Sequence, residues 1–150
     1  MNLSPMSNRK LATAAIAGAA SLGLIAGTAS AAPAHREITT VKISLGRVLA
    51  ATNSHVLYLF ERDTKNHSNC DATCQMYWMP VKSNGSPTAG RFVSASHLGL
   101  TSKHQVTYYG HPLYFYSGDT APKQATGQGT TASGGKWYVV GTNGRAIDNS

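Results

Sequence analysis

The chain has 150 residues and a formal net charge of +7, from 13 Lys and Arg against 6 Asp and Glu. Apart from Arg9 and Lys10, its basic residues are scattered singly. This excludes the basic tract of a nucleic-acid-binding protein, and we expect no specific nucleic-acid binding. The charge still favours anionic partners, such as polymers or surfaces of the cell envelope.

The first 31 residues are predicted to be a secretory signal peptide. Arg9 and Lys10 precede an apolar stretch over 11–27, and Ala29-Ser30-Ala31 supplies a small-residue cleavage site. A membrane anchor needs about 20 strongly apolar residues, and this stretch is too rich in Ala and Gly. Cleavage leaves 119 residues with a net charge of +5, enough for one secreted domain that does not span the membrane.

A ten-residue stretch occurs twice in the chain, at 55–64 and 111–120. The two copies share the pattern Tyr-x-aromatic-x-x-Asp, called the repeat motif below. Its residues are Tyr58, Phe60 and Asp63 in the first copy and Tyr114, Tyr116 and Asp119 in the second. We therefore predict a lead-in with a first strand over 32–45, followed by a two-repeat β domain over 46–150 with units at about 46–84 and 102–144.

The pattern of apolar residues predicts a mainly β fold. Each unit reads as a hairpin, a long loop and a segment with a tryptophan, Trp78 or Trp137. In the strand predicted over 56–61, alternation places Tyr58 and Phe60 on one face and Leu57 and Leu59 on the other. The remaining predictions are strands over 38–51, interrupted at Gly46, and over 136–140, a hairpin over 105–116 turning at 110–112, a short helix near 94–98 and a surface loop over 117–135.

The repeat motif is predicted to be structural. Asp63 and Asp119 stand where a strand enters a loop, so each carboxylate is expected to accept backbone N–H groups and shape the turn. Two acids acting on a substrate are the alternative, but neither copy has a second carboxylate or a base nearby. We expect the aromatic residues to lie in the core with their hydroxyls bonded across the repeat interface, and an exposed aromatic face that binds glycans stays open as the alternative. No catalytic residue is predicted, and His55 and His111 are interpreted as turn residues that respond to pH.

The two cysteines, Cys70 and Cys74, are expected to form a disulfide, because an exported protein folds in an oxidising compartment. So small a ring contributes about 2 kcal/mol. A regular helix separates residues four apart by about 5–6 Å between Cβ atoms, too far for a disulfide. A tight, distorted turn is therefore predicted at 71–73.

The alternative for this loop is a copper(I) site. His67, Cys70, Cys74 and Met79, with Met76 nearby, place imidazole, thiolate and thioether donors within thirteen residues, and such soft ligands suit copper(I). No other cofactor is expected.

The repeat motif, with Cys70-x3-Cys74-x3-Trp78 between its two copies, resembles the bacterial secreted-repeat family of predicted lipoproteins. Segments that begin at Gln105, Gly110 and Trp137 are similar to other landmarks of that family, so the resemblance covers about 46–144. This chain departs from it in having no lipobox cysteine, and in Met79, which stands where the family usually has the first proline of Trp-Pro-Pro. The resemblance implies an extracytoplasmic protein of largely unknown function, with no catalytic residues to carry over.

The sequence thus predicts a secreted, non-enzymatic β-domain of the cell envelope or the extracellular space, with a binding or structural role. The alternative is an extracytoplasmic copper-binding or redox protein that uses the Cys70–Cys74 loop.

Overall fold

The computed structural model describes residues 35–148, so the predicted signal peptide lies outside the described residues. This part of the chain is mainly β, as predicted, and no helix in it is long and apolar enough to cross a membrane. It also contains one turn of α-helix, α1 (Ala72–Gln75), and one turn of 3-10 helix (Ala95–His97) where a short helix was predicted. Its strands are β1 (Glu37–Ile43), β2 (Gly46–Ala51), β3 (Tyr58–Phe60), β4 (Trp78–Pro80), β5 (Thr88–Ala89), β6 (Leu98–Leu100), β7 (Val106–Tyr108), β8 (His111–Pro112), β9 (Tyr114–Tyr116), β10 (Thr131–Ala132) and β11 (Gly135–Val139).

The central sheet has the order β10-β11-β3-β9-β4 and is antiparallel throughout. Strands β3 and β9 carry the two copies of the repeat motif, and they pair with Tyr58 directly opposite Tyr114. When a residue faces its own equivalent across an antiparallel pair, the two copies are related by a local twofold axis, as in an isologous interface. The next strands outward, β11 and β4, follow the same twofold relation. Trp137 of β11 lies opposite Phe60, and Trp78 of β4 lies opposite Tyr116.

Two smaller sheets, β2-β1-β5 and β6-β7-β8, flank the central one. The hairpins β1–β2 and β6–β7 are equivalent, because each joins its own repeat to the central sheet by the same three backbone hydrogen bonds, 2.8–3.2 Å long. The equivalent residues in those bonds are Leu49 and Val106, Leu57 and Leu113, and Val140 and Val81. The twofold relation therefore extends from the central pair of strands to both flanking hairpins.

The predicted hairpin over 105–116 is divided between two sheets. Its turn lies at Tyr109–Gly110, where both residues have positive φ (49° and 81°), as a two-residue type I′ turn requires. Strand β7 lies between β6 and the short strand β8, and after the turn it pairs with β8 alone. The chain leaves this hairpin at Leu113 and enters the central sheet, because β9 pairs with β3 and β4 instead. His111 consequently lies in β8, and its predicted place in the turn was wrong.

The loop predicted over 117–135 is shorter and more buried than its composition suggested. Strands β10 and β11 form a hairpin, so the irregular segment ends at Thr130. Within it Gly127 is buried, and the side-chain carbonyl of Gln128 accepts a hydrogen bond from the backbone N–H of Val139 at 2.8 Å. An amide side chain therefore fixes this loop from inside.

Two apolar clusters cover the two faces of β3, as the alternation of its residues predicted. Tyr58 and Phe60 belong to a cluster with both tryptophans and both cysteines. Leu57 and Leu59 belong to the other, with Leu113 and the valines of the flanking strands. All four of these side chains are at most 5% exposed, so β3 is enclosed on both sides.

We expect Trp78→Ala to lower the free energy of unfolding by about 3–5 kcal/mol, because Trp78 is 2% exposed and fills the space between the two repeats. The neighbouring change Tyr77→Ala is the matched control. Tyr77 is 58% exposed, so its loss should stay within about 0.5 kcal/mol. Urea unfolding measures both, and equal losses would contradict the packing described.

Candidate functional site

The two copies of the repeat motif exchange their hydrogen bonds. The hydroxyl of Tyr58 donates to Oδ2 of Asp119 at 2.6 Å, and the hydroxyl of Tyr114 donates to Oδ2 of Asp63 at 2.7 Å. Each tyrosine is thus bonded to the aspartate of the other copy. Charge-assisted bonds of this kind are short and among the stronger ones in proteins. The motif residues therefore join the repeats.

The second oxygen of each aspartate holds the loop that follows it. Oδ1 of Asp63 accepts the backbone N–H of Asn69 at 2.7 Å, and Oδ1 of Asp119 accepts the backbone N–H of Thr126 at 2.9 Å. One carboxylate therefore fixes both the loop of its own copy and the tyrosine of the other. In the first copy Ser68 Oγ also lies 2.7 Å from the Tyr114 hydroxyl.

Burial raises the pKa of three groups in the motif, the hydroxyls of Tyr58 and Tyr114 and the carboxyl of Asp63. It is the largest cause of the raised pKa of the Tyr58 and Tyr114 hydroxyls, and the neighbouring carboxylates add to it. Burial also raises the pKa of the Asp63 carboxyl, although hydrogen bonds from Asn69 and Tyr114 act in the opposite direction. The hydroxyls of Tyr58 and Tyr114 therefore lose their protons at a higher pH than the hydroxyl of an exposed tyrosine.

Four aromatic rings stack in a row behind the exchanged hydrogen bonds. The two tryptophans lie at the centre, with ring centroids 3.9 Å apart and planes 4° from parallel. Phe60 stacks on Trp137 at 4.2 Å, and Tyr116 stacks on Trp78 at 4.3 Å. Each outer ring stacks on the tryptophan of the other copy. The faces of both indole rings are consequently covered by other rings.

The two copies agree with the comparison to known families. Residues 39–82 and 102–141 match a family described as a secreted repeat of unknown function. The chain belongs to this family. A comparison with curated proteins and one with solved structures found no significant match. The first match of this secreted repeat begins inside β1, a strand that the sequence alone had assigned to a lead-in.

The predicted disulfide between Cys70 and Cys74 is confirmed, with Cα atoms 5.3 Å apart. The expected distorted turn was wrong, because residues 72–75 form the regular helical turn α1. Asp71 caps this helix by accepting the backbone N–H of Cys74 at 2.9 Å. Cys70 precedes the cap, where the backbone is extended, so only one of the two cysteines lies on the helix and the helical spacing does not apply.

The residues of the copper hypothesis lie in different surroundings. The sulfurs of Cys70 and Cys74 are bonded to each other and buried. His67 is exposed in the preceding loop, and Met79 is 42% exposed on β4, the edge strand of the central sheet. Within residues 35–148 no group of three or more His, Cys, Asp or Glu side chains is placed to hold a metal. Copper(I) binding by the reduced protein stays a prediction.

The two histidines before the motif differ in environment. Partial burial lowers the pKa of the His111 imidazole. The backbone N–H of His55 donates to the side-chain oxygen of Asn53 at 3.3 Å. The pH response of these two residues stays a prediction.

In the sequence the lysines are scattered singly, but the structure groups four of them in two clefts. Lys82 and Lys103 line one cleft, and Lys42 and Lys123 line another. In each cleft a hairpin tip of one repeat meets the post-motif loop of the other. Aligning the two hairpins, as well as the two motifs, is the sequence signal that could have revealed this grouping.

We expect the stability of the protein to fall as the pH rises above about 10. A tyrosine whose pKa is raised by folding stabilises the protein below its unfolded pKa of 10.0, and that contribution is lost as the pH rises further. Each of Tyr58 and Tyr114 should contribute a slope of about 1.4 kcal/mol per pH unit. Urea unfolding across this pH range measures the slope. Tyr58→Phe should reduce the slope by about 1.4 kcal/mol per pH unit. An unchanged slope in that variant would contradict a raised pKa of the Tyr58 hydroxyl.

Proposed function

We propose that the protein is a secreted, non-enzymatic binding domain that recognises anionic polymers or surfaces of the cell envelope or the extracellular space. It is held in one shape by the exchange between its repeats, and its surface charge selects the partner.

The distribution of charge is the observation that carries this proposal. Four of the six acidic residues accept hydrogen bonds within the fold through their carboxylate oxygens: Glu61, Asp63, Asp71 and Asp119, of which Asp119 is 6% exposed. The basic side chains face outward instead. The exposed ones are Lys42, Arg47, Arg62, Lys65, Lys82, Arg91, Lys103, Lys123, Lys136 and Arg145. An approaching anion therefore meets mainly ammonium and guanidinium groups.

The structural use of the repeat motif supports the non-enzymatic part of the proposal. Tyr58 and Tyr114 are fully buried, and their hydroxyls are bonded to carboxylates. Each of the two aspartates is bonded through both oxygens. These groups hold the repeats together, so the residues of the repeat motif have a sufficient role without a substrate.

Linear polyphosphate is a suitable probe of the proposed function, with neutral dextran as the control polymer. We expect the exported protein to bind polyphosphate and not dextran, and its affinity to fall at least about tenfold when the salt concentration is raised several-fold, because bound counterions are released. The polymer should be recovered at its original length. Equal binding to dextran, binding that salt does not weaken, or shortening of the polymer would contradict the proposal.

A further inference from the structure

The first of the two lysine-lined clefts lies beside the disulfide. It has a volume of about 170 Å³ and forms where the loop after the first motif meets the tip of the β6–β7 hairpin. Lys82 Nζ donates to the backbone carbonyl of Lys103 at 2.9 Å, which holds one ammonium group at the cleft. His67, Thr101 and Ser102 add an imidazole and two hydroxyls, and none of its lining residues is acidic.

The second cleft lies in the other half of the protein. It has a volume of about 520 Å³ and forms where the loop after the second motif meets the tip of the β1–β2 hairpin. Lys42 comes from the hairpin and Lys123 from the loop. Thr126 and Gln128 also line this cleft, but the Thr126 hydroxyl donates to Asp119 and the Gln128 amide donates to the carbonyl of Ile147. Again no lining residue is acidic, so the two lysines are its charged groups.

The two clefts are equivalent under the twofold relation between the repeats. The hairpins β1–β2 and β6–β7 correspond through their matching backbone bonds, and the two loops correspond through the bonds that Asp63 and Asp119 accept. Each cleft therefore pairs the hairpin tip of one repeat with the loop of the other. Each of the two equivalent clefts is lined by two lysines and by no acidic residue, although the other lining side chains differ.

We propose that these two clefts are oxyanion-binding sites that take phosphate or carboxylate groups repeated along a linear polyanion. This inference rests on the proposed function and names its site. Lysine ammonium groups bind such oxyanions as point charges, and in the first cleft the hydroxyls of Thr101 and Ser102 add donors beside them. Two sites on one molecule raise the affinity for a chain above that of either site alone, provided that the chain can reach both.

The test compares three variants that each remove two positive charges. Lys82→Gln with Lys103→Gln alters the first cleft, Lys42→Gln with Lys123→Gln alters the second, and Lys136→Gln with Arg145→Gln is the charge-matched control outside both. We expect each cleft variant to bind polyphosphate at least about tenfold more weakly than the wild type, and the control less than about threefold. Lys→Arg changes at the same cleft positions keep the charge and should retain binding.

Polyglutamate is the second arm of this experiment. The same ranking of variants is expected with either polymer, and the one bound more tightly identifies phosphate or carboxylate as the preferred group. Equal losses in the control and the cleft variants, or a loss in only one cleft variant, would overturn the assignment of two sites. A wild-type protein that binds neither polymer would instead contradict the proposed function itself. Thermal unfolding of each variant checks that it is folded.

Discussion

The fold depends on the exchange of hydrogen bonds between two tyrosines and two aspartates. Because each tyrosine bonds the aspartate of the other copy, neither repeat supplies the carboxylate partner of its own buried phenol. A lone repeat would leave its phenol and one carboxylate oxygen without these partners, and a buried group without a partner costs about 1–3 kcal/mol. The stacked tryptophans add the same kind of dependence through apolar contact. The duplication is therefore a condition of stability, with both copies needed to form one core.

The sequence predicted the parts of the fold that depend on local pattern. Alternation along β3 placed Tyr58 and Leu57 on opposite faces, and the two apolar clusters lie on those faces. Two cysteines in an exported chain predicted the disulfide. The helical turn at 72–75 was missed because it depends on Asp71, whose side chain caps the helix. The spacing of the two cysteines alone does not indicate this cap.

Long-range partners could not be predicted from the pattern alone. The sequence located Tyr114 and Asp63 in the motif and expected bonds across the repeat interface, but it did not identify which aspartate each tyrosine contacts, 51 residues away. That choice follows from the twofold axis at the Tyr58–Tyr114 pair. The clefts depend on the same axis, since each joins residues from opposite repeats. The net charge was predictable from the composition, whereas the grouping of lysines in two clefts depends on how the two copies are arranged.

Double-mutant cycles test the exchange between the repeats most directly. Tyr58→Phe and Asp119→Asn, measured singly and together by urea unfolding, should show a coupling energy of at least about 1 kcal/mol, because the two groups share a hydrogen bond. The control cycle combines Tyr58→Phe with Asp63→Asn, which lies in the same copy of the motif. Its effects should add to within about 0.5 kcal/mol. Additive effects for Tyr58 with Asp119, or stronger coupling within one copy, would contradict the exchange.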